Sequence, residues 1–231
     1  MKQSGRGIRW ILPVRIRRAL RQLHRRHVLR RALGEVAAAS EATPAIRMSA
    51  TLESLVYGWG NDTFSARHDF LAALLSYGRR AAGPILECGS GLSTVVLAKV
   101  TQQPVWSLEH DAGWRKYTQE ALDTYGCSEA HVLWAPLRSY GEFAWYDPPL
   151  ARMPSDFALV VCDGPPLGTP GGRYGLLPLM RSRVRPGCVV LLDDVGRPAE
   201  TGVADRWVSE FKVTCTLAGD RQRFAVLTVP D

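Results

Sequence analysis

A carboxylate, a pair of glycines and a second carboxylate stand at a spacing suited to holding a cofactor. The run Pro84-Ile85-Leu86-Glu87-Cys88-Gly89-Ser90-Gly91-Leu92-Ser93-Thr94 joins an apolar stretch to a helix-like segment through a glycine-rich turn, and Glu109 ends another apolar run twenty residues after Gly89. This is the layout of a nucleotide-type site on an α/β sheet. Gly89 and Gly91 have no Cβ, so both permit a positive φ and a close backbone approach. Glu109 would accept hydrogen bonds from ribose hydroxyls. A dinucleotide fingerprint needs a third glycine three residues after the second, and position 94 is Thr. Glu87 would repel a pyrophosphate and suits a cationic cofactor, one with an ammonium and a sulfonium.

Two further acidic points stand downstream. Asp163 closes an apolar run and is followed by the sharp bend Gly164-Pro165-Pro166. Its carboxylate either faces a cofactor or acceptor or caps the turn. Asp193-Asp194 closes the run Val189-Val190-Leu191-Leu192. Adjacent carboxylates repel, so they require a metal, Arg197 or a proton as partner. With Asp163 they could form a hard oxygen site for Mg²⁺.

The elements that must position these groups alternate. Strands are expected at 84–88, 104–109, 130–135, 157–163, 187–193, 211–216 and 222–229. Helices are expected at 65–75, 92–100, 112–125, 173–184 and 199–210. Strands separated by helical segments imply βαβ units and a doubly wound, mainly parallel seven-stranded sheet. Ligands then bind at the carboxyl ends of strands, beside the switch point. Glu87, Glu109, Ala135, Asp163 and Asp193 all fall at such ends. Residues 34–50 read as a linker or weak helix, and Tyr57-Gly58-Trp59-Gly60-Asn61 as a turn whose two aromatics either line an acceptor pocket or pack on their own domain. Asp147-Pro148-Pro149 reads as a loop with no strand before it.

Leu86-Glu87-Cys88-Gly89-Ser90-Gly91 resembles motif I of the class I S-adenosylmethionine-dependent methyltransferases. The similarity extends through Val105–Asp111, Ala158–Pro166 and Gly187–Asp194. It implies a Rossmann-like methyltransferase domain over 49–231, with S-adenosylmethionine bound by Glu87, Gly89, Ser90, Gly91, Ser93, Glu109, His110, Ala135 and Asp163. The adenine ring would lie near Ala135-Pro136. Asp163 is the catalytic candidate. The end of the chain is distantly similar to catechol O-methyltransferase, which implies Mg²⁺ at Asp163, Asp193 and Asp194. Two departures stand against that: the insertion 164–172, and the lack of a lysine close after Asp163 to act as base. Methyl transfer from a sulfonium is an in-line displacement that mainly requires alignment and exclusion of water, so the absence of a catalytic triad is no obstacle. The expected reaction is O-methylation of a small-molecule or lipid-like acceptor. The alternatives are an RNA or protein methyltransferase and an NAD(P)-binding oxidoreductase.

The formal charge of +7 is unevenly spread. Residues 1–31 hold eleven Lys/Arg and no Asp or Glu; the remainder holds eighteen basic against twenty-two acidic side chains, net −4. A basic arm and linker, 1–48, is thus attached to a mildly acidic domain, and the broad basic face of a dedicated nucleic-acid binder is missing. Leu12, Ile16, Ala19, Leu20 and Leu23 share one helical face of the arm, with Arg15, Arg18, Arg21, Arg25 and Arg26 around the rest. The arm reads as a solvated helix, as an interfacial helix on anionic lipid, or as a nucleic-acid or targeting segment. No stretch approaches the ~20 apolar residues of a membrane span. The five cysteines include no CxxC; Cys88, Cys162 and Cys188 read as core residues of a reducing, cytoplasmic protein.

Overall fold

The computed structural model describes residues 13–40, 43–61 and 68–230. The chain divides into two compact units, Met1–Phe64 and Ser65–Asp231. Leu12 of the predicted amphipathic face, and the start of the helix expected at 65–75, lie outside the described residues.

In the first unit, α1 (Val14–Ala38) and α2 (Ala45–Trp59) form a helical pair. The pairing buries Leu29, Ala32, Leu33 and Val36 of α1 with Leu52, Leu55 and Trp59 of α2. Of the two readings of 34–50, helix holds for most of the segment: residues 34–38 continue α1 and α2 opens at Ala45. One expectation changes here. Tyr57, Gly58 and Trp59 are the last turn of α2, and only Gly60 turns, with φ 82°. Gly58 serves close packing: a Cβ there would lie 2.8 Å from the Leu29 backbone nitrogen.

The second unit carries a seven-stranded sheet. Its elements are α3 (His68–Arg80), β1 (Ile85–Cys88), α4 (Leu92–Val100), β2 (Val105–Glu109), α5 (Ala112–Tyr125), β3 (Ala130–Trp134), β4 (Leu137–Ser139), β5 (Ala144–Tyr146), β6 (Phe157–Cys162), α6 (Leu176–Met180), β7 (Val184–Leu192), α7 (Pro198–Phe211), β8 (Thr214–Ala218) and β9 (Phe224–Thr228). The strand order is β3-β2-β1-β6-β7-β9-β8. β9 runs antiparallel to both neighbours and the other pairs are parallel. Parallel strands covered on both faces must be apolar throughout, and β1 and β6 are buried at every position. Leu86, Val160, Val190 and Leu192 share a core cluster with Leu177, Met180, Val203 and Trp207. No residue of α3, α4 or α5 joins that cluster; these helices pack on one another and on β2, β3 and β6.

Helices α4, α5 and α7 match their predicted spans closely. The helix expected at 173–184 shrinks to α6 plus a 3-10 turn, because β7 already begins at Val184. A hairpin of β4 and β5 was not expected. It places a short strand directly before Asp147-Pro148-Pro149, but outside the main sheet. Among the described residues no helix is long and apolar enough to cross a membrane.

Candidate active site

The sheet reverses its winding between β1 and β6, the point at which an open α/β sheet offers a ligand crevice at the carboxyl ends of its strands. The loop after β1 holds Gly89 at φ 90°, a conformation that costs a residue with a Cβ about 1–2 kcal/mol. Gly91 has φ 162°, which is extended backbone, so the expected positive φ holds for Gly89 alone. Gly164, after β6, packs directly against this loop: a Cβ would collide with the Tyr146 hydroxyl and lie 3.2 Å from the Gly89 Cα.

The two loop carboxylates are placed differently. Glu87 has no exposed surface. Its Oε2 accepts a 2.6 Å hydrogen bond from Thr94 Oγ1, which in turn accepts the Gly91 amide at 2.9 Å. Glu87 therefore fastens the loop to the start of α4 from beneath. Burial pushes its pKa up to about 7 against the pull of Ser93, Thr94 and Ser107. Its Oε1 has no hydrogen-bond partner among the described residues. Glu109 ends β2 and reaches back to the loop, accepting from the Ser90 amide at 3.1 Å and the Ser90 hydroxyl at 2.8 Å. Its other oxygen accepts the Asp111 amide at 2.8 Å and lies 3.0 Å from His110 Nδ1 without hydrogen-bond alignment. Ser90 is thus latched to the carboxylate at the end of the neighbouring strand.

Ser93 is buried in the first turn of α4, and Ala135 is buried in the core beside Trp134, which is 45% exposed. The Trp114 indole donates a 2.6 Å bond to the Ser90 carbonyl, and its ring faces Gly91. Tyr146 meets His110 edge to face at 6.2 Å between ring centroids. Neither Trp114 nor Tyr146 was found from sequence. Trp114 sits in an amphipathic helix like any core aromatic, and Tyr146 belongs to the unanticipated hairpin.

Asp163, Asp193 and Asp194 do come together: one ligand atom from each lies within 4.8 Å of the others. Arg173 enters this cluster. Its Nη2 donates to Asp163 Oδ1 at 3.0 Å, the Asp163 carbonyl at 3.2 Å and Asp194 Oδ2 at 2.8 Å. Its Nη1 donates to the carbonyls of Cys162 at 3.3 Å and Asp193 at 2.7 Å. Arg197, the partner anticipated from sequence, adds 2.8 Å to the same Asp194 oxygen. Asp193, 2% exposed, turns its Oδ1 onto the Asp194 amide at 2.7 Å. Burial and the neighbouring carboxylates push its pKa up to about 8. Asp163 rises to about 6, chiefly through burial, with Arg173 opposing and Asp194 adding to the shift. Two guanidiniums and one retained proton balance three carboxylates at neutral pH. These residues do not fit the expected Mg²⁺, because the cation is already supplied by the chain.

No family model and no curated protein matches the sequence. Solved structures match the architecture. The SAH-bound Podospora anserina methyltransferase aligns over 96% of this chain and 99% of its own, with a TM-score of 0.61 at 15% identity. A Geobacter sulfurreducens methyltransferase aligns over 84% and 93%, at TM-score 0.59 and 10% identity. The fold is that of the class I methyltransferases. An SAH complex of the Bacillus cereus O-methyltransferase agrees, over 82% of this chain and 93% of its own, at TM-score 0.54 and 16% identity. In this methyltransferase fold, Gly89, Ser90, Glu109 and Asp163 gather at the ends of the adjacent strands β2, β1 and β6, while Glu87, Ser93 and Ala135 support them from within.

Proposed function

We propose that this chain is an S-adenosylmethionine-dependent methyltransferase acting on an oxygen of a small or lipid-like acceptor. The observation that carries the reading is the glycine turn at the β1–β6 switch point with Glu109 latched to it. Bound there, the cofactor supplies an activated methyl group on a sulfonium. The rest of the task belongs to the protein. The Gly89 turn brings backbone amides close to the ligand. The Glu109 carboxylate exchanges its Ser90 hydroxyl bond for ribose hydroxyls. Asp163 stands at the end of β6, partly exposed, with one oxygen held by Arg173. Its other oxygen accepts no hydrogen bond from the described residues, and so is free to orient an acceptor hydroxyl and take its proton. Arg173 keeps that carboxylate largely ionised near pH 7.

Support for this cofactor over a nicotinamide dinucleotide comes from Thr94. Its side chain is spent on Glu87 where a dinucleotide site requires glycine. Calorimetric titration with S-adenosylmethionine, S-adenosylhomocysteine, NAD and NADP tests the reading. Binding of the first two alone is expected; binding of a nicotinamide cofactor, or of none, overturns it. A labelled-methyl screen of hydroxylated acceptors, run with and without chelator, then identifies the substrate class.

A further inference from the structure

Helix α1 has two apolar faces that point in different directions. In its second half Leu29, Ala32, Leu33 and Val36 are buried in the pairing with α2. In its first half Ile16, Ala19, Leu20 and Leu23 form a stripe about 140° away around the helix, taking 3.6 residues per turn. That stripe is in solvent: Ile16 is 45%, Leu20 51% and Leu23 61% exposed. By the same geometry Arg15 and Arg26 border the stripe on one side and Arg17 on the other, with Arg18 and Arg21 behind. All five are exposed. α1 has eight arginines and no acidic residue before Glu35. Arg25 and Arg31 are committed locally, to Gly60 and Tyr57 and to Glu35 respectively.

We infer that the first half of α1 docks into the interface of an anionic lipid bilayer. An apolar stripe flanked by cations needs a partner that offers hydrocarbon and negative charge along one plane, and an anionic membrane surface does so. A nucleic acid would engage the arginines but leave Ile16, Leu20 and Leu23 in water. A second copy of the helix would cover the stripe but bring like charges together. The inference rests on the first unit alone and does not depend on the methyltransferase reading.

The test is co-sedimentation of the full chain with vesicles of phosphatidylcholine, with and without phosphatidylglycerol. Binding to the anionic vesicles alone is expected. The triple variant Arg15→Gln, Arg17→Gln, Arg26→Gln should bind them about a hundredfold more weakly, at about fivefold per surface arginine. The triple variant Ile16→Ser, Leu20→Ser, Leu23→Ser should lose at least about tenfold, through lost apolar burial. These side chains are exposed, so both variants should keep the wild-type circular dichroism and melting temperature, which are measured alongside. Wild-type protein left in the supernatant overturns the inference. So does wild-type binding by the serine variant, which would mean a charge-only contact. Displacement from vesicles by stoichiometric RNA would assign the face to nucleic acid, and dimerisation without vesicle binding would assign it to a second copy; either overturns the inference.

Discussion

Replacing Arg173 by methionine removes a buried cation and leaves everything it bonds in place. The guanidinium donates to three main-chain carbonyls and two carboxylates at the ends of β6 and β7. Removing one member of a buried ionic pair destabilises by about 3–5 kcal/mol, a large part of the ~5–15 kcal/mol that holds a domain folded. At ~2–4 °C per kcal/mol for a domain of this size, the melting temperature at pH 8 should fall by about 10 °C. The loss has a definite pH sense. Asp163 and Asp193 already have folded pKa values of about 6 and about 8 against 3.8, and without the guanidinium both rise further. A raised folded-state pKa gives stability that is complete below the unfolded value and lost as pH climbs through the folded one. The variant should therefore lie nearest wild type around pH 5 and farthest from it at pH 8. Without the arginine, the three carboxylates become an unoccupied hard-oxygen set. Excess Mg²⁺ or Mn²⁺ should raise the melting temperature of the variant and leave wild type unmoved. Thermal melts followed by circular dichroism at the two pH values, with and without the ions, measure all of this. A variant indistinguishable from wild type at pH 8, or a wild type stabilised by Mg²⁺, would refute the reasoning.

Gly89→Ala forces a Cβ onto a φ of 90° and should lower S-adenosylmethionine affinity by about fivefold to thirtyfold through ~1–2 kcal/mol of turn strain; unchanged calorimetric affinity would show that the turn does not meet the ligand. Glu109→Gln should weaken the same affinity by roughly tenfold to a hundredfold, since a hydrogen bond to a charged group contributes ~1.5–3 kcal/mol, and the Ser90 latch should loosen with it, read as faster amide exchange at Ser90. Asp193 titrates at about 8 when folded and 3.8 when unfolded, so wild-type stability should decline across that window as pH rises. Asp193→Asn cannot ionise and should flatten the decline between the two pKa values in urea melts; equal slopes would place the proton elsewhere.

The sheet was legible because parallel strands buried on both faces must be written as unbroken apolar runs, as in Ile85-Leu86 and Leu159-Val160-Val161. The acidic and glycine positions at their ends were legible for the same reason, since each marks where such a run stops. The β4–β5 hairpin was not, because its strands are three residues long and Arg138 and Ser139 face solvent. Gly58 misled in the other direction: glycine signals a turn in sequence, whereas here it admits the Leu29 backbone. Arg173 carries no signal of its own in the sequence. Its role depends on a buried meeting of β6 and β7 that no local spacing encodes. Cys88, Cys162 and Cys188 are buried as core residues, in keeping with their strand positions.

Arg173 also works as a staple on the insertion that precedes it. The segment 164–172 leaves the sheet at Asp163 and returns at the residue whose guanidinium holds Asp163, so its ends are fixed by one side chain. Gly171 packs against Phe143, and the Ala144 amide reaches the Pro170 carbonyl at 2.8 Å, which anchors the returning limb as well. What remains is the tip, Pro166 to Thr169, where Leu167 is 74% exposed. Lengthening a loop whose ends are already pinned costs only ~0.6 kcal/mol per doubling. The tip is therefore a place where residues can be exchanged or inserted beside the carboxylates without moving them, and a ready position from which to alter what the crevice admits.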